Sequence, residues 1–239
     1  MGRKSALSYV STRGVASSTR ASAVYEQLRS DIVHGVLEPE SKLRVEAMCS
    51  RYGVGASPVR EALSRLSSEG LVSRTDLRGF SVAPLNWDEL PIFTQDRMLL
   101  EGIALSQSIE HRDAAYEDTL VLLVHRLSRT PRSLSKDHYV TNPAWESLHS
   151  EFHRTLISRC PSRWLRAICD TLADEAYRFR QLAAAVKTFS SRNEHAEHVA
   201  IFEAIIEGRT DNAVRLLGEH YALTSALVAT QAKELERVA

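Results

Sequence analysis

Between Ala21 and Ala83 the apolar period changes once, from the spacing of a helix to the alternation of a strand. That order narrows the fold more than any compositional figure. Val24, Leu28, Ile32 and Val33 form one helical stripe, which Gly35 ends. After the turn Val36-Leu37-Glu38-Pro39, a short helix is expected over 45–52 with Ala47 and Met48 inward. Gly53-Val54-Gly55 makes a tight turn. A third helix follows, with Pro58 in its first turn, where a missing N–H does no harm. Its inner face is Val59, Ala62, Leu63 and Leu66, and Gly70 closes it. Leu71-Val72-Ser73-Arg74-Thr75 and Phe80-Ser81-Val82-Ala83 then alternate around Asp76-Leu77-Arg78-Gly79, a β-hairpin in which Gly79 is free to take positive φ.

Helix, helix, turn, helix, hairpin is the order of a winged helix-turn-helix, here expected over 21–85. Residues 1–20 are rich in Ser, Thr, Arg and Gly without an apolar face and read as a disordered arm. Everything after Asp88 reads as helix, over 88–111, 114–129, 142–159, 162–187, 193–208 and 211–236. Asp113, Asn142, Ser162, Ser191 and Asp211 stand where N-caps belong. The expected fold is therefore mostly α: an N-terminal winged helix-turn-helix and an all-helical bundle over 86–239. The low content of 10 Gly and 7 Pro in 239 residues fits long helices. Charge is divided, with a net of +4 over 1–85 and −4 over 86–239. A basic front and an acidic rear suit a DNA-reading module joined to a part that does not touch DNA. Charges interrupt every apolar run, so no membrane partner is expected, and the N-terminus lacks the apolar core of a signal peptide. Three unpatterned cysteines, Cys49, Cys160 and Cys169, point to free thiols in a reducing cytoplasm.

The run Gly53-Val54-Gly55-Ala56-Ser57-Pro58-Val59-Arg60-Glu61-Ala62-Leu63-Ser64-Arg65-Leu66 resembles the recognition helix of the GntR superfamily of regulators, and Glu69-Gly70-Leu71-Val72 and Arg78-Gly79-Phe80 extend the likeness. The resemblance implies that the first turn of the third helix enters the major groove of double-stranded operator DNA. Arg60 is then positioned to fork onto guanine or clamp a phosphate, with Ser57 beside it. Arg44 and the wing residues Arg78 and Gly79 suit phosphate or minor-groove contact. The common family pattern is Ser-Arg-Thr-Pro-Val-Arg-Glu-Ala-Leu; here its first two positions are Gly55 and Ala56. A base-reading arginine is thus absent, and the family's usual operator does not carry over.

Nine histidines occur, eight of them after residue 100. His149 and His153, four apart on one helix, face the same way. With Glu151-Phe152-His153, Glu197-His198 and Glu219-His220 they resemble the FCD effector domain of the FadR branch of GntR regulators. There a helix carries Asp-x-x-x-His and two later histidines complete a metal site. The resemblance implies a divalent transition metal, zinc or nickel, on His149, His153, His198 and His220. The family aspartate falls on His149, which is either the fourth ligand or a partly exposed polar residue. Arg97, at the family's Arg-x-x-x-Glu position with Glu101, either pairs with that glutamate or binds an effector carboxylate. Tyr177, Arg178 and Arg180 are further candidates for holding an anion.

The expected protein is a homodimeric transcription regulator on a palindromic operator, controlled by a small organic acid at or near the metal. Two alternatives stand beside it: a sensor for which the ion itself is the signal, and a metal-dependent hydrolase. Against the enzyme, no HExxH, GxSxG or phosphate-binding loop is present.

Overall fold

The computed structural model describes residues 12–75, 79–135, 137–183 and 192–238. It divides into two compact units, 1–85 and 86–239.

In the first unit, α1 (Thr12–Val33) packs on α3 (Ala56–Ser68), with α2 (Val45–Tyr52) against α3. The stripe of α1 is buried at Val24, Leu28, Ile32 and Val33, as are Val59, Ala62, Leu63 and Leu66 of α3. Asp31 accepts from the Tyr52 hydroxyl at 2.8 Å and from Arg51 Nε at 3.0 Å, which ties α1 to α2. Gly53 ends α2 in the left-handed region, at φ 65°. A sheet of order β1-β3-β2 closes the unit, from β1 (Lys42–Leu43), β2 (Val72–Thr75) and β3 (Gly79–Val82). The hairpin register pairs Val72 with Val82 and Thr75 with Gly79, and Gly79 takes φ 90°.

Three details differ from the sequence reading. The first helix begins at Thr12, so residues 12–20 extend it rather than belonging to an arm. A helix already fixed by packing adds turns without a second nucleation step, even through residues of no apolar period. Ala47 is exposed, and Val45 with Met48 faces inward. β1 is an added strand: Leu43 is buried opposite Phe80 on the free edge of β3.

In the second unit, α4 (Leu90–Glu110), α5 (Ala114–Arg129), α6 (Pro143–Leu156), α7 (Arg163–Ala183), α8 (Glu194–Ile206) and α9 (Thr210–Val238) form the bundle, preceded by a 3₁₀ turn at Trp87–Glu89. Asp113 and Asn142 cap α5 and α6 by accepting from Tyr116 N and Ala144 N. Ser162 accepts from Leu165 N at the start of α7. Ser191 lies outside the described residues; Asn193 is the residue that caps α8. Asp211 lies inside the first turn of α9 instead of capping it, where its charge still favours the helix N-terminus. The core gathers Leu105, Tyr116, Leu120, Phe152, Ile201 and Leu217. α4 and α9 approach closely where a side chain is missing: a Cβ on Gly102 would stand 3.1 Å from Val214, and one on Gly218 3.1 Å from Met98. That approach sets Glu101 of α4 beside Tyr221 of α9.

Candidate metal centre and nucleic-acid interface

Helix periodicity delivers His149 and His153 to one face of α6, and α8 and α9 bring His198 and His220 to meet them. One ligand atom from each lies within 4.8 Å of all the others. Nitrogens around a single zinc with bonds of about 2.1 Å stand roughly 3.4 Å apart, so the four are already gathered on that scale. All four side chains are buried, His149 at 8% exposure. His149 is thus buried with the other three rather than partly exposed. His198 Nε2 is buried with no hydrogen-bond partner. A buried polar atom without a partner is costly, and a bound cation would satisfy it. The residues fit a metal ion.

Their neighbours fix the rings. Tyr221 donates its hydroxyl proton to Glu101, and its oxygen lies 3.2 Å from His153 Nδ1. Arg97 Nε donates to the other Glu101 oxygen at 2.6 Å, and its guanidinium covers the Tyr221 ring at 3.8 Å. His220 Nδ1 lies 2.8 Å from Glu197, which Arg192 also holds. Such carboxylate partners orient a ligating imidazole and leave the far nitrogen for the ion. Trp145 stacks on His149 at 4.6 Å. A cavity of about 40 Å³ opens beside the rings, lined by Arg97, His149, His153, Tyr177, Arg180 and Tyr221. It has room for roughly three water-sized groups.

Burial pushes His149, His153 and His198 well below the usual imidazole range, and lowers His220 to about 4 against the opposing pull of Glu197. Burial acts to raise the Glu197 carboxyl, but Arg192 and His220 outweigh it and hold it at about 2. The imidazoles are therefore neutral near pH 7, with lone pairs available. An unfolded histidine titrates near 6.5, so below that pH the unfolded chain binds more protons than the folded one. Stability is present in full above about 6.5 and lost as pH falls. For His220 alone, the interval from 6.5 to about 4 corresponds to about 3 kcal/mol. Urea unfolding of metal-stripped protein is expected to show a steep loss across that window. A second, lower loss is expected from about 4.5 down to 2, where Glu197 takes up its proton. A flat profile from 6.5 to 4 would contradict the buried neutral cluster.

In the first unit, Arg60 and Ser57 are exposed on the first turns of α3, three residues apart and opposite the buried Val59–Leu63 face. Arg44, Arg60 and Gly79 line one open groove together with Lys42, Glu46 and Phe80. Arg78 lies outside the described residues. Lys42 went unnoticed in the sequence because only pairing of β1 with β3 brings it to this groove. Its charge adds to the basic surface that a phosphate backbone requires.

Residues 20–82 match the family described as bacterial regulatory proteins, gntR family, and residues 94–223 match the FCD domain. The chain belongs to the GntR family. This GntR regulator is 34% identical to the uncharacterized HTH-type transcriptional regulator BphR of Paraburkholderia xenovorans (strain LB400), over 86% of this chain and 84% of that one. It is 29% identical to the HTH-type transcriptional repressor GlaR of Escherichia coli (strain K12), over 82% and 90%. Among solved structures, E. coli McbR/YncC has a TM-score of 0.75 at 18% identity, covering 89% of this chain and 98% of that one, which is a likeness of fold. The family and the named relatives are transcriptional regulators, not enzymes. The GntR regulator has a DNA-binding winged helix-turn-helix and an all-helical FCD domain whose histidine cluster could hold a metal. No helix among the described residues is long and apolar enough to cross a membrane.

Proposed function

We propose that this regulator binds a palindromic operator as a homodimer, and that a small carboxylate held at a divalent metal in the FCD domain sets its affinity for the DNA. The observation that carries this reading is the buried meeting of His149, His153, His198 and His220, with His198 Nε2 unpartnered and a cavity at the cluster's side. Zinc or nickel suits an all-imidazole set. When bound, the ion supplies a Lewis-acidic centre for a carboxylate oxygen. Arg97, on the cavity wall, is the residue of this site that takes the effector's charge, while Glu101 holds it in place. Arg60 and Ser57 reach the major groove, and Lys42, Arg44 and the wing at Arg78 and Gly79 meet the backbone. The acidic helical domain serves effector binding and dimerisation, in the manner of the FadR branch. As a bacterial transcription regulator the protein acts, in this reading, in the cytoplasm, where its operator lies.

The alternative of a sensor, in which the ion is the signal, is tested by order of addition. Operator binding is titrated first with zinc or nickel and then with a panel of small carboxylates. Release only on adding a carboxylate is expected. Release by the ion alone, with no further effect of any carboxylate, would overturn the reading.

A single winged module covers little DNA, and specific binding draws on two half-sites. Sedimentation is therefore expected to show a dimer, free and on a two-half-site operator. A monomer in both conditions would defeat that part of the proposal.

A further inference from the structure

The hydrogen bonds through the centre form one chain whose direction is set at both ends. Arg180 Nη1 lies 3.2 Å from His149 Nδ1, and an arginine can only donate. His149 Nδ1 therefore accepts, and in a neutral ring the proton sits on Nε2. That Nε2 lies 3.1 Å from His153 Nε2, so His153 accepts there and carries its own proton on Nδ1. His153 Nδ1 donates to the Tyr221 oxygen at 3.2 Å, and Tyr221 donates to Glu101. Glu101, paired with Arg97, is the acceptor at the far end. In this arrangement His153 already offers the lone pair of Nε2 to the cluster. His149 does not, because its Nε2 lone pair is replaced by a proton.

The two states of His149 exclude each other. If its Nε2 gives a lone pair to a cation, the ring's proton moves to Nδ1, and Nδ1 can no longer accept from Arg180. Arg180 would then be left with Glu146, 3.2 Å from its other terminal nitrogen, and with its position on the cavity wall. Arg97, by contrast, keeps its bond to Glu101 in either state.

We propose that Arg180 is a conditional anion-binding residue: it locks His149 in the non-ligating tautomer while the centre is metal-free, and turns to the cavity once His149 Nε2 is a ligand. This rests on the reading of the cluster as a metal site. A histidine at the position where the family carries an aspartate thus couples metal loading to the appearance of a second cation in the effector cavity. An aspartate has no tautomer and could not do this.

The test begins with wild-type protein labelled with ¹⁵N at histidine and stripped of metal. Long-range proton–nitrogen NMR, with His149 assigned from its absence in His149→Gln, is expected to show the proton on Nε2 of His149 and on Nδ1 of His153. Adding zinc should move the His149 proton to Nδ1. Arg180→Met should remove one of the two constraints on the tautomer, leaving only His153 Nε2 to favour the proton on His149 Nε2. A fraction of His149 protonated on Nδ1 should then appear in the metal-free protein. The substitution should also raise zinc affinity about tenfold and lower acetate binding to the zinc-loaded protein about tenfold, the scale of one lost hydrogen bond to a charged group. A metal-free His149 protonated on Nδ1 would overturn the proposal. So would an unchanged tautomer in Arg180→Met with tighter zinc binding, which is charge repulsion alone. The first of these needs no variant to fold. If wild type binds no zinc, the reading of the cluster fails and takes this inference with it; if zinc binds and the tautomer is wrong, only the lock fails.

Discussion

Arg60→Ala is expected to weaken specific operator binding by about 2–6 kcal/mol, because a forked arginine contact is worth about 1–3 kcal/mol and a dimer loses it twice. That corresponds to roughly 30-fold to 10⁴-fold in affinity. The fold should not change. Arg60 is exposed on α3, and the faces that hold α1 to α3 are built from Val24, Leu28, Val59 and Leu63. Circular dichroism and the unfolding midpoint should therefore match wild type. Lys42→Ala and Arg44→Ala should behave differently. As backbone contacts they should weaken all sequences alike and each reduce the salt dependence by about one phosphate per half-site, about two for the dimer. Binding measured at fixed salt on operator and on unrelated DNA separates the two behaviours. An Arg60→Ala protein that binds its operator with unchanged affinity and selectivity would show that α3 is not the helix that reads bases, whereas weaker binding with selectivity kept would make Arg60 a phosphate clamp.

The parts of this chain that were legible in sequence are those whose signal is local. The stripe Val59, Ala62, Leu63, Leu66 repeats at the helical period and is buried as that period requires. The caps Asp113 and Asn142 act within three residues of themselves. β1 was not legible, since Lys42 and Leu43 are too few to show a period and form a strand only because β3 offers an edge. The centre divides the same way. His149 and His153 announce themselves by their spacing on one helix, and His198 and His220 by family likeness. The residues that set their chemistry do not. Tyr221 reaches Glu101 across 120 positions and Arg180 reaches His149 across 31, contacts that exist only once α4, α6, α7 and α9 have packed. Arg97 and Arg180 stood in the sequence as candidate anion anchors of unequal promise. The geometry gives them different partners instead, Glu101 for the one and His149 with Glu146 for the other.

His198→Leu is expected to reverse its effect on stability between the metal-free and the metal-loaded protein. In the metal-free protein, His198 Nε2 is a buried polar atom without a partner. Replacing such a group with an apolar one of similar volume removes a desolvation penalty of about 1–3 kcal/mol, so the stripped variant should be at least as stable as wild type. In the loaded protein the sign changes. An ion present at about 1,000 times its dissociation constant adds about 4 kcal/mol to the folded state. In a domain of this size that is roughly a 10 °C rise in melting temperature. Loss of one of the ligands supplied by α6, α8 and α9 should lower metal affinity by at least about 100-fold, beyond what loss of an outer partner costs, and most of that rise should vanish. His153→Ala should also lose the rise, but without the gain in the stripped state, because His153 is hydrogen-bonded to Tyr221 and to His149. Melting curves with chelator and with excess zinc, alongside elemental analysis, give all of these quantities. A core substitution would lower both curves together, and a surface substitution neither. Stoichiometric metal and an undiminished zinc-induced shift in both His198→Leu and His153→Ala would mean that the four imidazoles meet for some purpose other than holding an ion.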